Sequence, residues 1–166
     1  MLLLPIFSYS QTFTEKNNPN SENKNTFILN GSYANQNGLS GELAFERQIT
    51  KNGFLRLSAG NFHLHSNVIK GHRFGMGYRH RILKKNKFSL RIGADLNHIG
   101  YKYTEFIHDP TAYNALRISP VIDFQYQVTD RLLFNAEIQK NYSLNRKNKP
   151  LRFEHTDIKL GIGYKF

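Results

Sequence analysis

Residues 156–166 read Thr-Asp-Ile-Lys-Leu-Gly-Ile-Gly-Tyr-Lys-Phe. Side chains on a β-strand point alternately to opposite faces. One face would carry large apolar residues: Ile158, Leu160, Ile162, Tyr164 and Phe166. The other would carry charged or small ones: Asp157, Lys159, Gly161, Gly163 and Lys165. At a sheet edge in water such a strand would invite aggregation, whereas barrel closure in lipid pairs every backbone group. The segment therefore favours a barrel strand.

The composition is compatible with one membrane-embedded β-domain. The chain has 166 residues, which suits a single domain. It contains no apolar run near the roughly 20 residues that a membrane helix needs, and barrel strands require none. The absence of cysteine excludes disulfides, thiolate metal sites, cysteine nucleophiles and a lipid-anchor cysteine. Aromatic residues make up 13%, a level typical of β-structure and of membrane-interface belts.

The formal net charge of +11 makes nucleic acid a partner to consider. Nucleic-acid-binding proteins usually cluster positive charge on one face or tail. Here many arginines and lysines alternate with apolar residues inside the predicted strands. The pattern therefore argues against nucleic acid.

The N-terminal residues are typical of exported proteins. Residues 1–10 resemble the end of a secretory signal, with a short apolar core and then Ser8 and Ser10 before a cut ahead of Gln11. A short apolar strand is the alternative. Residues 11–26 are rich in Asn, Lys, Glu and Ser and predict a flexible lead-in. The barrel is expected to occupy residues 27–166.

Eight alternating segments predict eight strands. They span residues 27–35, 40–49, 54–65, 71–82, 88–101, 115–128, 131–144 and 156–166. Asn52-Gly53 is a strong hairpin signal, and residues 84–87 predict a tight polar turn. The alternation shifts at Phe62, which predicts a bulge or the membrane boundary. Pro120 predicts a bulge because proline cannot donate a ladder hydrogen bond.

Connection lengths and face chemistry favour a barrel over a sandwich. Connections after strands two, four and six are short, and those after three, five and seven are expected to be longer. Outer-membrane barrels have short periplasmic turns and longer external loops, and an even strand number places both termini in the periplasm. About five large apolar residues per strand would form a lipid-facing belt.

The opposite face is too charged for an apolar core. An eight-stranded barrel has a narrow interior filled by side chains, so we expect opposite charges to pair across the lumen. The predicted network comprises Glu42, Glu46, Arg56, Arg73, Arg79, Arg91, Asp95, Arg117, Asp123, Glu137 and Lys159. Glycines are expected to make room for the long arginines: Gly75, Gly77, Gly93, Gly161 and Gly163.

The last strand resembles the outer-membrane β-barrel superfamily through the pattern Lys159-x-Gly161-x-x-Tyr164-x-Phe166. In that superfamily such a strand is the signal read by the barrel-assembly machinery. The resemblance therefore implies that these four residues are the assembly signal, and that this machinery is a partner during biogenesis. By length and strand count the chain is similar to small eight-stranded barrels of the OmpA/OmpX type, which implies a porin-like fold in a Gram-negative cell envelope. It implies no activity, because one fold hosts many functions.

The cluster His63-Leu64-His65-Ser66-Asn67 is a candidate for chemistry near the predicted outer rim. A serine and a histidine with a carboxylate can transfer acyl groups. The lipid A deacylase family resembles this cluster through a His-x-Ser-Asn motif, but here Ser66 follows His65 directly, so the spacing fails. Polar rim residues are the alternative interpretation.

The same region also offers histidines as candidate metal ligands. His63, His65 and His72 could bind Zn²⁺ or Cu²⁺, but no carboxylate or thiolate is nearby in sequence. We therefore predict no catalytic residue, no metal and no cofactor.

A basic loop between the last two strands is a candidate for lipopolysaccharide binding, because charge-assisted hydrogen bonds hold phosphate. A solvated loop is the alternative. The candidate residues are Arg146, Lys147, Lys149 and Arg152.

These observations predict an all-β protein, an eight-stranded antiparallel up-and-down transmembrane β-barrel with a packed polar lumen in a bacterial outer membrane. The predicted function is non-enzymatic: a structural protein or an accessory subunit of an envelope assembly, with outer-membrane lipid and other outer-membrane proteins as partners. One alternative is a lipid A-modifying acyl hydrolase that uses His63 or His65 with Ser66. Another is a soluble calycin-like lipid carrier, with its apolar face turned inward.

Overall fold

A computed structural model describes residues 25–34, 38–64, 69–103, 113–144 and 155–166. Nine strands lie in these ranges: β1 Asn25–Ala34, β2 Gly38–Gln48, β3 Gly53–Leu64, β4 Ile69–Lys85, β5 Phe88–Tyr103, β6 Tyr113–Gln127, β7 Leu132–Lys140, β8 Tyr142–Ser143 and β9 Thr156–Lys165. Within these ranges no helix is long and apolar enough to cross a membrane.

The strands form one closed antiparallel sheet. Each strand from β1 to β6 pairs with the next, β7 pairs with β9, and β9 pairs with β1. β8 pairs with β6 in the same register as β7, so β7 and β8 form one barrel strand interrupted at Asn141. The predicted eight-stranded antiparallel barrel is confirmed.

The strand stagger fixes the tilt. A path of paired residues that leaves β4 at His80 crosses every barrel strand and returns to β4 at Lys70, a shift of ten residues. With eight strands, about 3.3 Å per residue and about 4.8 Å between strands, this shift gives a tilt of about 40° and a radius of about 8 Å. A barrel of that radius leaves space for side chains in its interior.

The outer face is apolar and the inner face is polar. Outward side chains include Leu57 at 57% exposure, Met76 at 59% and Leu160 at 66%. Toward the end that carries the short turns, rings pack in pairs: Phe27 with Phe166 at 5.2 Å between centroids, and Phe88 with Tyr126 at 4.8 Å. The apolar face therefore points away from the lumen, and the inward orientation required by the calycin-like alternative is wrong.

The alternation does not break at Phe62. β3 keeps one register with both β2 and β4 along its length, and the buried Phe62 side chain follows Arg56 and Ser58 on the inward parity. The predicted bulge is wrong. At the end of the barrel opposite the short turns, which we term the loop end, the interior of β3 to β6 is apolar. Beside Phe62 it includes Ile69, Ile99, Tyr101 and Ala115.

Pro120 causes no bulge either. The register between β5 and β6 and that between β6 and the β7–β8 strand are both unbroken around Pro120. Instead the pairing between β6 and the β7–β8 strand is interrupted at Asn141. The register places Asn141 opposite Ser119, the residue before Pro120, and a proline lacks the N–H that a ladder bond needs. The register shift in the β4–β5 pair lies between Arg81 and Leu83.

Connections after β2, β4 and β6 are residues 49–52, 86–87 and 128–131. Those after β5 and β8 are longer, as expected, at residues 104–112 and 144–155. The expectation of a longer connection after β3 is wrong, because residues 65–68 match the β2–β3 turn in length.

Two turns share a threonine cap. Thr50 Oγ1 accepts a hydrogen bond from Gly53 N at 2.8 Å, and Thr129 Oγ1 accepts one from Leu132 N at 3.0 Å. In the first turn Ile49 N also donates to Gly53 O, and in the second Val128 N donates to Leu132 O, each at 2.9 Å. Neither residue of Asn52-Gly53 has a positive φ. The hairpin that this pair signals is present, but the hydroxyl cap closes a wider turn.

Replacing either capping threonine by valine is expected to lower the free energy of unfolding by about 0.5–1.5 kcal/mol, because the turn N–H loses its acceptor. Urea titration of the folded band on unboiled gels would measure the change. The matched control is Thr50→Ser, which keeps the hydroxyl. Equal stability of Thr50→Val and Thr50→Ser would show that the cap contributes nothing.

Candidate functional site in the barrel lumen

The described part of the lumen contains twelve buried charged residues, each at most 4% exposed. Six are acidic and six are basic: Glu42, Glu46, Asp95, Asp123, Glu137, Asp157, Arg56, Arg73, Arg79, Arg91, Arg117 and Lys159. The structure brings together all eleven residues of the predicted network and adds Asp157. The set is neutral, so the excess of +11 lies on residues outside it.

Glu42 is the centre of the network. Its carboxylate accepts hydrogen bonds from Arg56 Nη2 at 2.6 Å, Arg73 Nη2 at 2.6 Å and Lys159 Nζ at 2.8 Å. Asn30 Nδ2 adds a fourth donor at 3.3 Å. These donors come from β1, β3, β4 and β9, so one carboxylate on β2 ties five strands together.

Arg56 links this centre to two further carboxylates. Its Nη1 lies 2.6 Å from Glu137 Oε1 and 3.1 Å from Glu46 Oε1. Glu137 also accepts from Asn135 Nδ2 at 2.9 Å. The contact between Arg56 and Glu137 crosses the lumen from β3 to β7, which fixes opposite walls of the barrel.

Two further arginines extend the network toward the turn end. Arg79 donates to both carboxylate oxygens of Asp95, at 2.6 and 2.8 Å. Arg91 donates to Glu46 at 2.8 Å and pairs with Asp123. The guanidinium of Arg91 also lies 5.1 Å from the centre of the Phe54 ring, which projects inward near the turn end.

At the loop end, Asp157 gathers a second cluster. It lies 3.0 Å from His155 Nε2 and 3.6 Å from Arg73 Nη1. It also accepts hydrogen bonds from Gln139 Nε2 at 2.8 Å and Asn141 Nδ2 at 3.1 Å. Asp157 and His155 were missing from the predicted network, although the inward parity of β9 could have found Asp157. His155 precedes the alternating segment, so the pattern gave no signal for it.

Arg117 belongs to the same end of the lumen. Its Nη1 lies 3.5 Å from His155 Nε2. Arg117 is therefore placed through the histidine beside the Asp157 carboxylate.

The luminal glycines accommodate several kinds of neighbour. A Cβ on Gly93 would lie 2.9 Å from Arg79 Cδ, and a Cβ on Gly77 would collide with the Asp95 carboxylate that Arg79 binds. Gly75 and Gly161 instead leave space for the amides of Asn97 and Asn30. A Cβ on Gly163 would lie 2.8 Å from Leu133. The expectation that all five make room for arginines is therefore wrong. Of the five, Gly93 is the one that lies directly against an arginine side chain.

The two candidate histidines that the structure describes lie outside the lumen. His63 and His72 point outward and are exposed, and the His72 ring packs 5.7 Å from that of Phe74. The described residues contain no group of three potential ligands that could hold a metal. Several predicted positions lie outside the described residues: His65, Ser66, Arg146, Lys147, Lys149, Arg152 and residues 1–24.

The four residues of the C-terminal pattern have separate environments. Lys159 is buried against Glu42, and Gly161 packs on Asn30. Tyr164 is exposed on the outer face, where its hydroxyl accepts a hydrogen bond from Arg131 Nη1 at 3.3 Å. Phe166 is 46% exposed and stacks on Phe27.

A closed antiparallel barrel with an apolar outer face and a polar interior is the architecture of transmembrane β-barrels. The chain shares this fold with solved barrels of bacterial outer membranes. The N-terminal β-barrel domain of Pseudomonas aeruginosa OprF matches with a TM-score of 0.73 and 15% identity, over 87% of this chain and 98% of that one. Neisserial surface protein A matches with a TM-score of 0.62 and 13% identity, over 86% and 94%. OprG of Pseudomonas aeruginosa matches with a TM-score of 0.59 and 10% identity, over 87% and 97%.

No family model and no curated protein matches the chain. At these identities the likeness establishes the fold. The resemblance to small eight-stranded outer-membrane barrels is confirmed at that level.

Proposed function

We propose that the chain is an integral β-barrel of a bacterial outer membrane, and that it serves as a non-enzymatic structural protein or an accessory subunit of an envelope assembly. The observation that supports this function is the pairing inside the lumen. Carboxylates such as Glu42 and Glu137 accept hydrogen bonds from arginine and lysine side chains of other strands. These groups hold the barrel walls together and are not presented to a substrate.

The filled lumen also argues against a transport role. Charged side chains meet across the interior, an inward Phe54 lies toward the turn end, and the apolar layer around Ile99 lies toward the loop end. A barrel with a radius of about 8 Å has little interior volume beyond that of its side chains. The described lumen therefore suits a stable scaffold better than a channel.

The proposed orientation places both termini in the periplasm. β1 begins and β9 ends beside the short turns, with Asn25 N donating to Phe166 O at 3.4 Å. The longer connections lie at the opposite end, as in barrels whose external loops are the long ones. In this orientation residues 146–152 would face lipopolysaccharide phosphates outside. The β9 residues Lys159, Gly161, Tyr164 and Phe166 would present the signal to the barrel-assembly machinery.

The test is expression in a Gram-negative host, followed by membrane fractionation and gels of unboiled and boiled samples. We expect a heat-modifiable band in the outer-membrane fraction, unchanged lipid A, and co-purifying envelope proteins if the chain is a subunit. Altered lipid A would contradict the non-enzymatic function. A soluble chain without a mobility shift would contradict the membrane location, and a monomer that never co-purifies with a partner would remove the subunit role.

A further inference from the structure

The turn end of the barrel carries a ring of exposed positive charge. Six exposed basic residues in or beside the three short turns form what we term the basic collar: Arg47, Lys51, Lys84, Lys85, Lys87 and Arg131. Asp130 is the one acidic residue in the described stretches 47–53, 84–88 and 128–132. This end is therefore strongly electropositive.

The collar is distributed around the barrel. Its residues come from the β2–β3 turn, the β4–β5 turn and the β6–β7 turn, and each turn belongs to a separate hairpin on the barrel perimeter. A protein partner seated beside the barrel would contact only the turns on its own side. A lipid leaflet surrounds the barrel and would contact all three turns at once.

Outward-facing aromatic rings lie beside the collar. Lys87 precedes Phe88, whose ring packs with Tyr126, and Arg131 donates to the hydroxyl of the outward-facing Tyr164. Aromatic rings of membrane proteins concentrate at the interface between hydrocarbon and water. Lysine and arginine beside such rings extend their charged groups toward the headgroups.

Nothing in the described lumen offsets this charge, because the buried acidic and basic residues balance each other. The collar amines remain available to an external anion, and Lys87 Nζ donates one hydrogen bond to Val128 O at 3.3 Å while two further N–H donors remain. Phosphate oxygens are strong acceptors for such donors. Basic segments next to a membrane gain binding free energy from anionic lipids.

We propose that the basic collar binds the phosphate headgroups of anionic phospholipids in the leaflet that surrounds the turn end. The proposal rests on the membrane-embedded barrel of the proposed function. It adds a lipid preference and assigns it to one end of the molecule.

The test uses the purified chain reconstituted in phosphatidylcholine vesicles, with spin-labelled phosphatidylglycerol or spin-labelled phosphatidylcholine as the probe. Electron spin resonance measures the relative association of each lipid with the barrel. We expect wild-type protein to prefer phosphatidylglycerol severalfold at low salt and less at high salt. The triple variant Lys84→Gln, Lys85→Gln, Lys87→Gln is expected to lower this preference by roughly threefold or more.

The matched control is the triple variant Lys70→Gln, Lys102→Gln, Lys140→Gln, which removes three exposed lysines that lie away from the turn end. It is expected to keep most of the preference. Equal association of both lipids with wild-type protein, or equal losses in the two triple variants, would overturn the proposal. If the first triple variant does not fold, Lys51→Gln with Arg131→Gln replaces it, with the same expected direction.

The heat-modifiable band in phosphatidylcholine vesicles is a separate readout. Its absence would refute the membrane barrel itself. Its presence without a lipid preference would refute lipid binding by the basic collar and leave the membrane barrel supported.

Discussion

The Glu42→Gln variant is expected to unfold with a free energy about 3–5 kcal/mol lower than that of wild type. The substitution keeps the size of the side chain and removes one negative charge. Arg56, Arg73 and Lys159 would then surround a neutral amide in a site closed to water. An uncompensated buried charge is costly, so the loss is expected to exceed that of an ordinary hydrogen bond.

Urea titration followed by the folded band on unboiled gels would measure this loss. The matched control is Asp130→Asn, which makes the same type of change in an exposed turn and is expected to alter stability by less than about 0.5 kcal/mol. The double variant Glu42→Gln with Lys159→Met restores a neutral lumen and is expected to recover part of the loss. If Glu42→Gln is as stable as Asp130→Asn, the network does not hold the barrel together.

Leu160→Arg is expected to destabilise the barrel by about 2–4 kcal/mol, the cost of placing an arginine near the bilayer midplane on a lipid-facing strand. Leu160 is 66% exposed and lies between Ile158 and Ile162 on the outer face of β9. In an aqueous protein the same substitution at so exposed a position would change stability by less than about 0.5 kcal/mol. The measurement therefore separates a lipid-facing surface from a water-facing one.

The control for this variant lies on the same strand and face. Thr156 is the first residue of β9, at the loop end, and Thr156→Arg is expected to cost about 0–1 kcal/mol because arginine is tolerated near the interface. Folding into lipid vesicles followed by urea titration would give both values. Equal costs for the two arginines would show that the apolar face does not lie in hydrocarbon.

The barrel could be predicted from the sequence because alternation with period two determines which side chains share a face. The inward positions of Glu42 and Arg56 follow from that period, and so do the outward ones of Leu57 and Leu160. The pairing of particular charges could not be predicted. It depends on the ten-residue stagger, which brings Glu137 of β7 opposite Arg56 of β3 across the lumen.

The errors have physical reasons as well. Phe62 breaks the alternation only if the lumen is polar along its whole length, whereas the loop end of the lumen is lined with apolar side chains. Pro120 predicts a bulge in its own strand, but the register around it is unbroken. The missing N–H is instead accommodated by the partner strand, which is interrupted at Asn141. His155 entered the site through a hydrogen bond beside a connection, where no periodic pattern applies.

The barrel is closed by its first and last described strands, with Thr26 opposite Lys165. Glu42 and Lys159, which meet in the lumen, are 117 positions apart in the chain. Such distant pairings form late, because a long loop must lose its conformational entropy before they contribute stability. Until β9 docks, β1 and β7 each present an unpaired edge, and Glu42 lacks one of its three cations. The barrel is therefore most vulnerable during its biogenesis. A folding factor that covers both edges until β9 pairs with them would act at the step where spontaneous folding is slowest.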